Sequence, residues 1–584
     1  MRSIRAISFI TACVTIVVHG ADIGSFWQLT DIHYDANYSQ DHGSSCHYES
    51  GGAADNRHGE FGDYNCDAPW MLVVSAINAM KLLQPNPDFI IWTGDSAPHV
   101  PDGQLNPLKV FALVQNVTSK LLEIFTDVPV FPVLGNHDVW PANQLPPQPG
   151  GYYDNILHSA GWESMLHDDA METFGKGGYY SVMTPSGQRL LGLNTNLYNN
   201  RDELSTNLTD PALQFMWLEQ QLGLAQSRGE KVYIIGHIPP GVLARGSHAH
   251  WFSEDFNEHF LQILQTYHQC IVATIFGHEH TDSFRIVYDK NVSRPLNVGS
   301  GSRCLANVAS QSQTSNGWAL YDPPRKSISK RTRCVLLTGL DVLSGMLQGW
   351  SCPQTDNLLT ISDAAIPMFL APAVTPWKPL IADEIPNNPA IRLYHYDRAT
   401  GDILNYDQYY LNLSAANIGG RANWQLEYKA TEAYDINNIS AKNLELEVKG
   451  FFPSSSETFH QYYKYNKVSY SGKFDCDATC RQGHICAITN ISYAAYDTCM
   501  KDLKKMGWKD SHFPAAMMHL YADEIQDHYR GKKPSSGMPV YIYVVIGGVI
   551  ILVSVMLLVT TLLCFRRRTM AGYFSQPQYM PINA

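Results

Sequence analysis

Charge is what this 584-residue chain has least of: 16% of its residues are Asp, Glu, Lys or Arg, against 45% hydrophobic and 11% aromatic. So few charges with so much apolar surface to bury exclude an intrinsically disordered polymer. Positive charge is scarcer still. Lys and Arg number 42, Asp and Glu 54, a formal net charge of −12, and a surface of that sign repels the phosphates of a nucleic-acid duplex. A duplex is therefore excluded as a partner. The length allows two to four domains, or one large α/β domain with an appendage.

Long uncharged runs are confined to the two ends. Residues 1–20 read as a signal peptide: Arg2 and Arg5 precede the apolar run Ala6–Val18, and small residues follow at Gly20 and Ala21. That run is too short to span a bilayer. Val540–Cys564 is 25 residues without a charge, and Arg566, Arg567 and Arg568 follow at once. The pattern predicts one transmembrane helix with its basic flank in the cytoplasm. Ser535, Ser536 and Gly537 would also suit a lipid-anchor signal, but the tail of such a signal ends the chain, whereas this one continues through three arginines. The expectation is a type I protein of the cell surface or endosomal membrane, with a stalk at 532–539, a cytoplasmic tail at 565–584 and its main body outside or lumenal. In the tail, Tyr579-Met-Pro-Ile582 looks like a tyrosine-based sorting signal, which implies an endocytic adaptor as partner.

Cysteine usage agrees with export. Of 12 Cys, Cys13 falls in the signal and Cys564 at the end of the membrane run. Exported cysteines oxidise. Cys476, Cys480, Cys486 and Cys499 are spaced to staple a small C-terminal region, and Cys46 with Cys66 can close an N-terminal loop. Glycan acceptor tripeptides begin at Asn37, Asn116, Asn207, Asn291, Asn412, Asn438 and Asn490 and are expected on the surface.

From Phe26 to about Tyr396, short β-branched runs alternate with amphipathic stretches, the pattern of an α/β domain. Strands are expected at Phe26–Leu29, Asp88–Thr93, Val128–Leu134, Arg189–Asn194, Lys231–Ile235 and Ile271–Phe276. Helices are expected at Trp70–Leu83, Pro107–Phe125, Pro211–Ser227 and Glu254–His268. After about residue 400 the pattern turns helical, at Arg421–Ala433, Phe459–Tyr465 and Tyr493–Lys505. The division is then an α/β domain at 21–400 and a helical C-terminal subdomain at 401–531. Residues 298–368 do not fit: they are rich in Ser, Gln and Asn, carry a basic knot from Arg325 to Arg333 and hold Cys304, Cys334 and Cys352. So long a stretch without pattern is uncommon inside a domain. It reads as an insertion, either a disordered loop or sequence that a correct transcript lacks.

Five strand ends carry metal-ligand residues: Asp31-Ile-His33, Gly94-Asp95, Gly135-Asn136-His137-Asp138, Gly236-His237 and Gly277-His278-Glu-His280. Each follows an apolar run directly, so their side chains should gather along one edge of the sheet. Imidazole and carboxylate ligands suit zinc, iron or manganese, and seven suffice for two metals if one carboxylate bridges. Any one of these motifs is common alone; five in this order point to a dinuclear site.

The ordered set resembles the calcineurin-like metallophosphoesterases. The words Thr30-Asp31-Ile32-His33-Tyr34-Asp35, Trp92-Thr-Gly94-Asp95-Ser-Ala-Pro-His99, Gly236-His237-Ile-Pro-Pro240-Gly241 and Ala371-Pro-Ala-Val-Thr-Pro-Trp377 narrow the resemblance to the acid sphingomyelinase-like phosphodiesterases over about residues 25–530. The resemblance implies an α/β fold built as a metallophosphoesterase β-sandwich flanked by helices, with a helical, disulfide-stapled C-terminal subdomain. It implies two zinc ions, one held by Asp31, His33 and His280 and the other by Asn136, His237 and His278, with Asp95 bridging. The pair would turn a bound water into the hydroxide that attacks phosphorus. His137 would be the general acid, His99 would contact the phosphate or share that task, and Asp138 would orient His137. The implied disulfides are Cys46 with Cys66, Cys476 with Cys480 and Cys486 with Cys499, leaving Cys270 as a buried thiol. The Ala371 motif would lie on a core strand, so an insertion just before it would threaten the sheet near the site.

True acid sphingomyelinases place a saposin domain ahead of the catalytic one, and only residues 21–30 separate the expected signal from Asp31. A small phosphodiester or nucleotide substrate is expected ahead of a lipid. The alternatives are a sphingomyelin or phospholipid phosphodiesterase, or a non-catalytic receptor on the same scaffold, which should have lost ligands.

Overall fold

The computed structural model describes residues 22–40, 46, 58–245, 248–289, 364–377, 385–453, 456–472 and 476–505. The expected signal peptide, Asn291, the stretch 298–363, the stalk, the membrane run 540–564 and the tail with Tyr579–Ile582 lie outside the described residues. Among the described residues no helix is long and apolar enough to cross a membrane.

Among the described residues, twelve strands form two six-stranded sheets. In chain order they are β1 (Ile23–Leu29), β2 (Phe89–Trp92), β3 (Val130–Pro132), β4 (Tyr180–Met183), β5 (Arg189–Gly192), β6 (Val232–Ile235), β7 (Ile271–Phe276), β8 (Ser283–Tyr288), β9 (Ala364–Leu370), β10 (Ala390–Asp397), β11 (Ile403–Leu411) and β12 (Trp424–Lys429). One sheet has the order β12-β11-β10-β1-β2-β3 and the other β4-β5-β6-β7-β9-β8. Side chains from both inner faces interdigitate, as in a sandwich. Phe26 of β1 stacks on Tyr394 of β10 at 4.8 Å and meets Tyr233 of β6 at 6.0 Å, while Phe369 of β9 meets Tyr394 at 5.8 Å. The buried amide of Gln28 spans the layers, donating to the Phe276 carbonyl at 3.0 Å and accepting from Tyr394 at 3.0 Å.

The inner strands are parallel: β1, β2 and β3 in one sheet, and β5, β6, β7 and β9 in the other. Their C-terminal ends therefore open on loops, and six of these loops carry the motifs singled out above. The flanking helices Trp70–Leu83, Pro107–Ile124, Gln214–Arg228 and Glu254–Thr266 form where apolar periodicity predicts them. Pro107 stands at the first helical position, and Asn106 caps the helix by accepting from the Lys109 amide.

Two expectations need correction. Strands do not end at about 400: β11 and β12 extend the first sheet beyond that boundary, and Arg421–Ala433, read as helical, is β12 followed by one turn at Ala430–Ala433. The register between β11 and β12 shifts so that Tyr409 faces Leu426 and Gln408 faces Tyr428. Glu427 is thus an extra residue, and the bulge breaks the alternation that marks a strand in sequence. Beyond it the helices expected at Phe459–Tyr465 and Tyr493–Lys505 are present within Glu457–Asn466 and Tyr493–Lys505. Disulfides join Cys46 to Cys66, Cys476 to Cys480 and Cys486 to Cys499, and Cys270 is a buried thiol.

The second correction concerns the insertion. Residues 364–368, counted with it, form most of β9, and the Ala371–Thr375 motif follows that strand as a loop instead of lying on it. β9 pairs with β8 from Ser283↔Leu370 to Tyr288↔Ala364 and with β7 from Thr274 to Phe276. The two points where the chain leaves and re-enters, Tyr288 and Ala364, face each other at the end of the pair remote from Leu370. The sheet beside the motif loops is intact. Of the glycan acceptors, Asn37, Asn116 and Asn207 are exposed, while Asn412, Asn438 and Asn490 are half-buried.

Antiparallel partners lie about 5 Å apart, so a short turn can join them. Replacing 291–361 by four polar residues should leave the melting temperature within about 5 °C of the parent; loss of a cooperative melt would show that the segment is needed for the sandwich.

Candidate metal centre

The loops after β1, β2, β3, β6 and β7 bring all seven expected ligands together. Asp95 is the centre of the arrangement. Its Oδ2 lies 3.3 Å from His33 Nε2 and 3.1 Å from His237 Nε2, and its Oδ1 accepts from the His137 amide at 2.8 Å. On one side His33 Nε2 is 4.0 Å from Asp31 Oδ1 and 3.2 Å from His280 Nε2, with His280 Nε2 3.4 Å from Asp31 Oδ1. On the other, His237 Nε2 is 3.0 Å from Asn136 Oδ1 and 3.3 Å from His278 Nδ1.

Local chemistry aims three of these side chains. The Nδ1 atoms of His33 and His237 face the backbone carbonyls of Ala97 at 2.8 Å and Thr93 at 2.7 Å. An Nδ1–H donated to a carbonyl leaves Nε2 as the nitrogen turned to the site, the one that would ligate a metal. Asp31 accepts from Thr30 Oγ1 at 2.7 Å and from the His278 amide at 3.0 Å, which ties the first motif to the last. The loops approach one another too closely for side chains at the glycines: a Cβ on Gly135 would run into Asp95, and one on Gly277 into Thr30 and Asp31. Five of the seven ligand positions, Asp31, His33, Asp95, His278 and His280, have φ between 44° and 70°. Such non-glycine backbone costs on the order of 1–3 kcal/mol each and persists where the surroundings enforce it, commonly at functional sites.

The donor set fits a pair of cations. Burial would raise the Asp95 carboxyl, but His237 and His33 outweigh it and hold it well below the usual carboxylate range. Burial would lower the His237 imidazole, yet the Asp95 carboxylate lifts it to about 9. His33 is pushed well below its ordinary value by burial and then by His99, and His278 by burial and then by His237. The protein thus places positive charge beside Asp95 and keeps its neighbours neutral, the form in which imidazole binds a metal. His278 Nε2 and His280 Nδ1 are buried without hydrogen-bond partners among the described residues.

A cavity of about 190 Å³ opens over these ligands, lined by His99, His137, Trp251 and Trp377 among others. His137 meets His99 at 4.4 Å and His33 at 5.3 Å between ring centroids. Burial, then His99, pushes its imidazole down to about 4. His99 lies stacked between Trp377 at 3.9 Å and His33 at 3.8 Å. Its orientation comes from Asp67, which accepts from the His99 amide at 2.6 Å and faces its Nδ1 at 3.0 Å. Asp67 and the stacking role of Trp377 were missed in the sequence; the only signal was that Asp67 follows the disulfide-bonded Cys66.

Asp138 does something other than orient His137. Its carboxylate accepts from three backbone amides, Asp95 at 3.0 Å, Gly135 at 2.9 Å and Ser96 at 2.7 Å. It therefore braces the β2 loop against the β3 loop.

Residues 24–282 match the calcineurin-like phosphoesterase family model, and residues 364–506 match the acid sphingomyelin phosphodiesterase C-terminal region. Acid sphingomyelinase-like phosphodiesterase 3b of Mus musculus is 35% identical over 493 residues, covering 83% of this chain and 92% of that protein. The chain belongs to the acid sphingomyelinase-like phosphodiesterase family. It is a phosphoric diester hydrolase of the calcineurin-like type. Within the family it is similar to a cyclic GMP-AMP phosphodiesterase of Homo sapiens, 35% identical over 485 residues (82% of this chain, 91% of that one). It is also similar to sphingomyelinase phosphodiesterase C of Dictyostelium discoideum, 32% identical over 489 residues (82% and 93%).

Asp138→Asn should lower stability by about 1–3 kcal/mol, because the amide NH₂ would face backbone donors that have lost an acceptor. Denaturant unfolding measures this; an unchanged midpoint would mean that the carboxylate does not brace the loops.

Proposed function

We infer that this family member is a zinc-dependent phosphodiesterase that hydrolyses small phosphodiesters or nucleotide phosphate bonds outside the cell. The Asp95 carboxylate carries the reading, since one oxygen within 3.3 Å of two imidazole nitrogens stands where a ligand shared by two cations belongs. Asp31, His33 and His280 would hold one zinc and Asn136, His237 and His278 the other. When bound, the two ions polarise the phosphoryl group and lower the pKa of a coordinated water. Zinc accords with a histidine-rich set.

The remaining tasks belong to the chain. A leaving alkoxide needs a proton, and His137, beside Asn136 and at the cavity wall, is the candidate donor. Burial disfavours its protonated form, so this role suits a medium below neutral pH, such as an endosome. His99, with Nδ1 turned to Asp67, keeps Nε2 for a phosphate oxygen or for sharing the proton. The placement we propose, a glycosylated type I protein of the cell surface or endosomal membrane, rests on residues 1–20, the sequons and 540–564, and the endocytic adaptor on Tyr579–Ile582. A lipid phosphodiesterase is the second reading, favoured by the Dictyostelium relative named a sphingomyelinase phosphodiesterase. The receptor reading requires lost ligands, and the described site retains all seven.

The full chain in detergent should cleave bis-(p-nitrophenyl) phosphate faster than p-nitrophenyl phosphate, lose activity in chelator and recover it with zinc. Activity that survives metal removal, or a preference for the monoester, would overturn the assignment. In zinc excess, His137→Ala should slow substrates with poor leaving groups at least tenfold more than those with good ones, and more at pH 5 than at pH 7. Equal slowing of both would remove His137 as proton donor.

A further inference from the structure

Glu279 stands between His278 and His280 in the sequence and lines the cavity beside them, yet it is not one of the seven residues expected to hold a cation. Its side chain is 1% exposed, and its Oε1 accepts from Trp251 Nε1 at 2.9 Å and from Arg285 Nη2. Trp251 packs perpendicular to His278, 4.3 Å between ring centroids and 81° between planes. His278 turns Nδ1 toward His237 and leaves Nε2 without an oxygen or nitrogen partner among the described residues. A ligating imidazole is ordinarily held at its second nitrogen by a carboxylate or carbonyl. Here the indole is the group packed against the ring, and Glu279 fixes the indole.

Arg285 extends the arrangement to the neighbouring loop. Also 1% exposed, it donates through Nη1 to the Pro240 carbonyl and through Nη2 to the Val242 carbonyl at 2.7 Å. Those carbonyls belong to the segment that starts at His237. One buried guanidinium thus joins the loop of His237 to the loop of His278, the two imidazoles assigned to the same cation, and touches neither of them.

We propose that Trp251, Glu279 and Arg285 are positioning residues that fix the separation of His237 and His278 and so set the affinity of that one metal position. The inference rests on the two-metal reading above. Mutation of groups that orient metal ligands commonly weakens binding 10–100-fold. Trp251→Phe keeps a ring against His278 but removes the N–H that Glu279 holds. Arg285→Lys keeps the charge but replaces a planar fork with a single ammonium that cannot reach three acceptors.

The test is chelator titration of the zinc-loaded full chain in detergent, with bound zinc measured by mass spectrometry and folding followed by thermal melting. His278→Ala and His280→Ala mark which release step belongs to which position. Trp251→Phe and Arg285→Lys should each weaken the step lost in His278→Ala by 10–100-fold and leave the step lost in His280→Ala in place. If Arg285→Lys fails to fold, Trp251→Phe decides alone. Two unchanged steps, or equal weakening of both, would overturn the proposal. A parent chain that binds no zinc in excess metal would instead overturn the metal-centre reading and take this inference with it.

Discussion

The structure is organised around a carboxylate that a protein core should not contain. Asp95 is 1% exposed, with two imidazole nitrogens within 3.3 Å of one of its oxygens. A buried ionised carboxylate is costly unless it is paired or bound to a metal. The lifted His237 imidazole supplies one positive charge in the free protein. Two divalent ions would supply more, and would also take the electron pairs that the lowered His33 and His278 imidazoles hold ready.

The sandwich exists in the form that this carboxylate needs. Parallel strands in both sheets deliver polar loops to one edge, and the layers between them are aromatic and tightly packed, so the loops cannot relax away from one another. Strain at five ligand positions is held by contacts that are themselves polar and buried: Asp138 on three amides, Asp31 on the His278 amide, and Arg285 on two carbonyls and Glu279. Each of these joins two loops from different strands. The ligand geometry is therefore a property of the loop set and not of any one motif.

All seven residues expected as ligands could be picked out in the sequence because their motifs directly follow apolar runs, and a strand end is the one place where sequence order maps simply onto position. The groups that orient His99 and brace the loops of the expected ligands were not legible. Asp67 reaches His99 from 32 residues away and Arg285 reaches Pro240 from 45 residues away, separations with no pattern to mark them. Asp138 misled for the opposite reason: adjacency to His137 suggested a partnership, but its carboxylate satisfies the backbone amides of the β2 and β3 loops. In the fold, the β-bulge at Glu427 hid β12, and the insertion hid β9 by sitting against its first residues.

The position of that insertion separates two kinds of tolerance. Strand β9 is central, paired on both sides, and its far end carries the loop with Thr375 and Trp377, which contact Asp67 and His99. A long segment at the Leu370 end would displace those contacts, whereas at the Ala364 end it joins two residues that already face each other. Loop-closure entropy rises only slowly with length, so extra chain between those two residues costs the fold little. An insertion can look destructive in sequence, next to a motif, and still be attached to the sheet a full strand length from the chemistry.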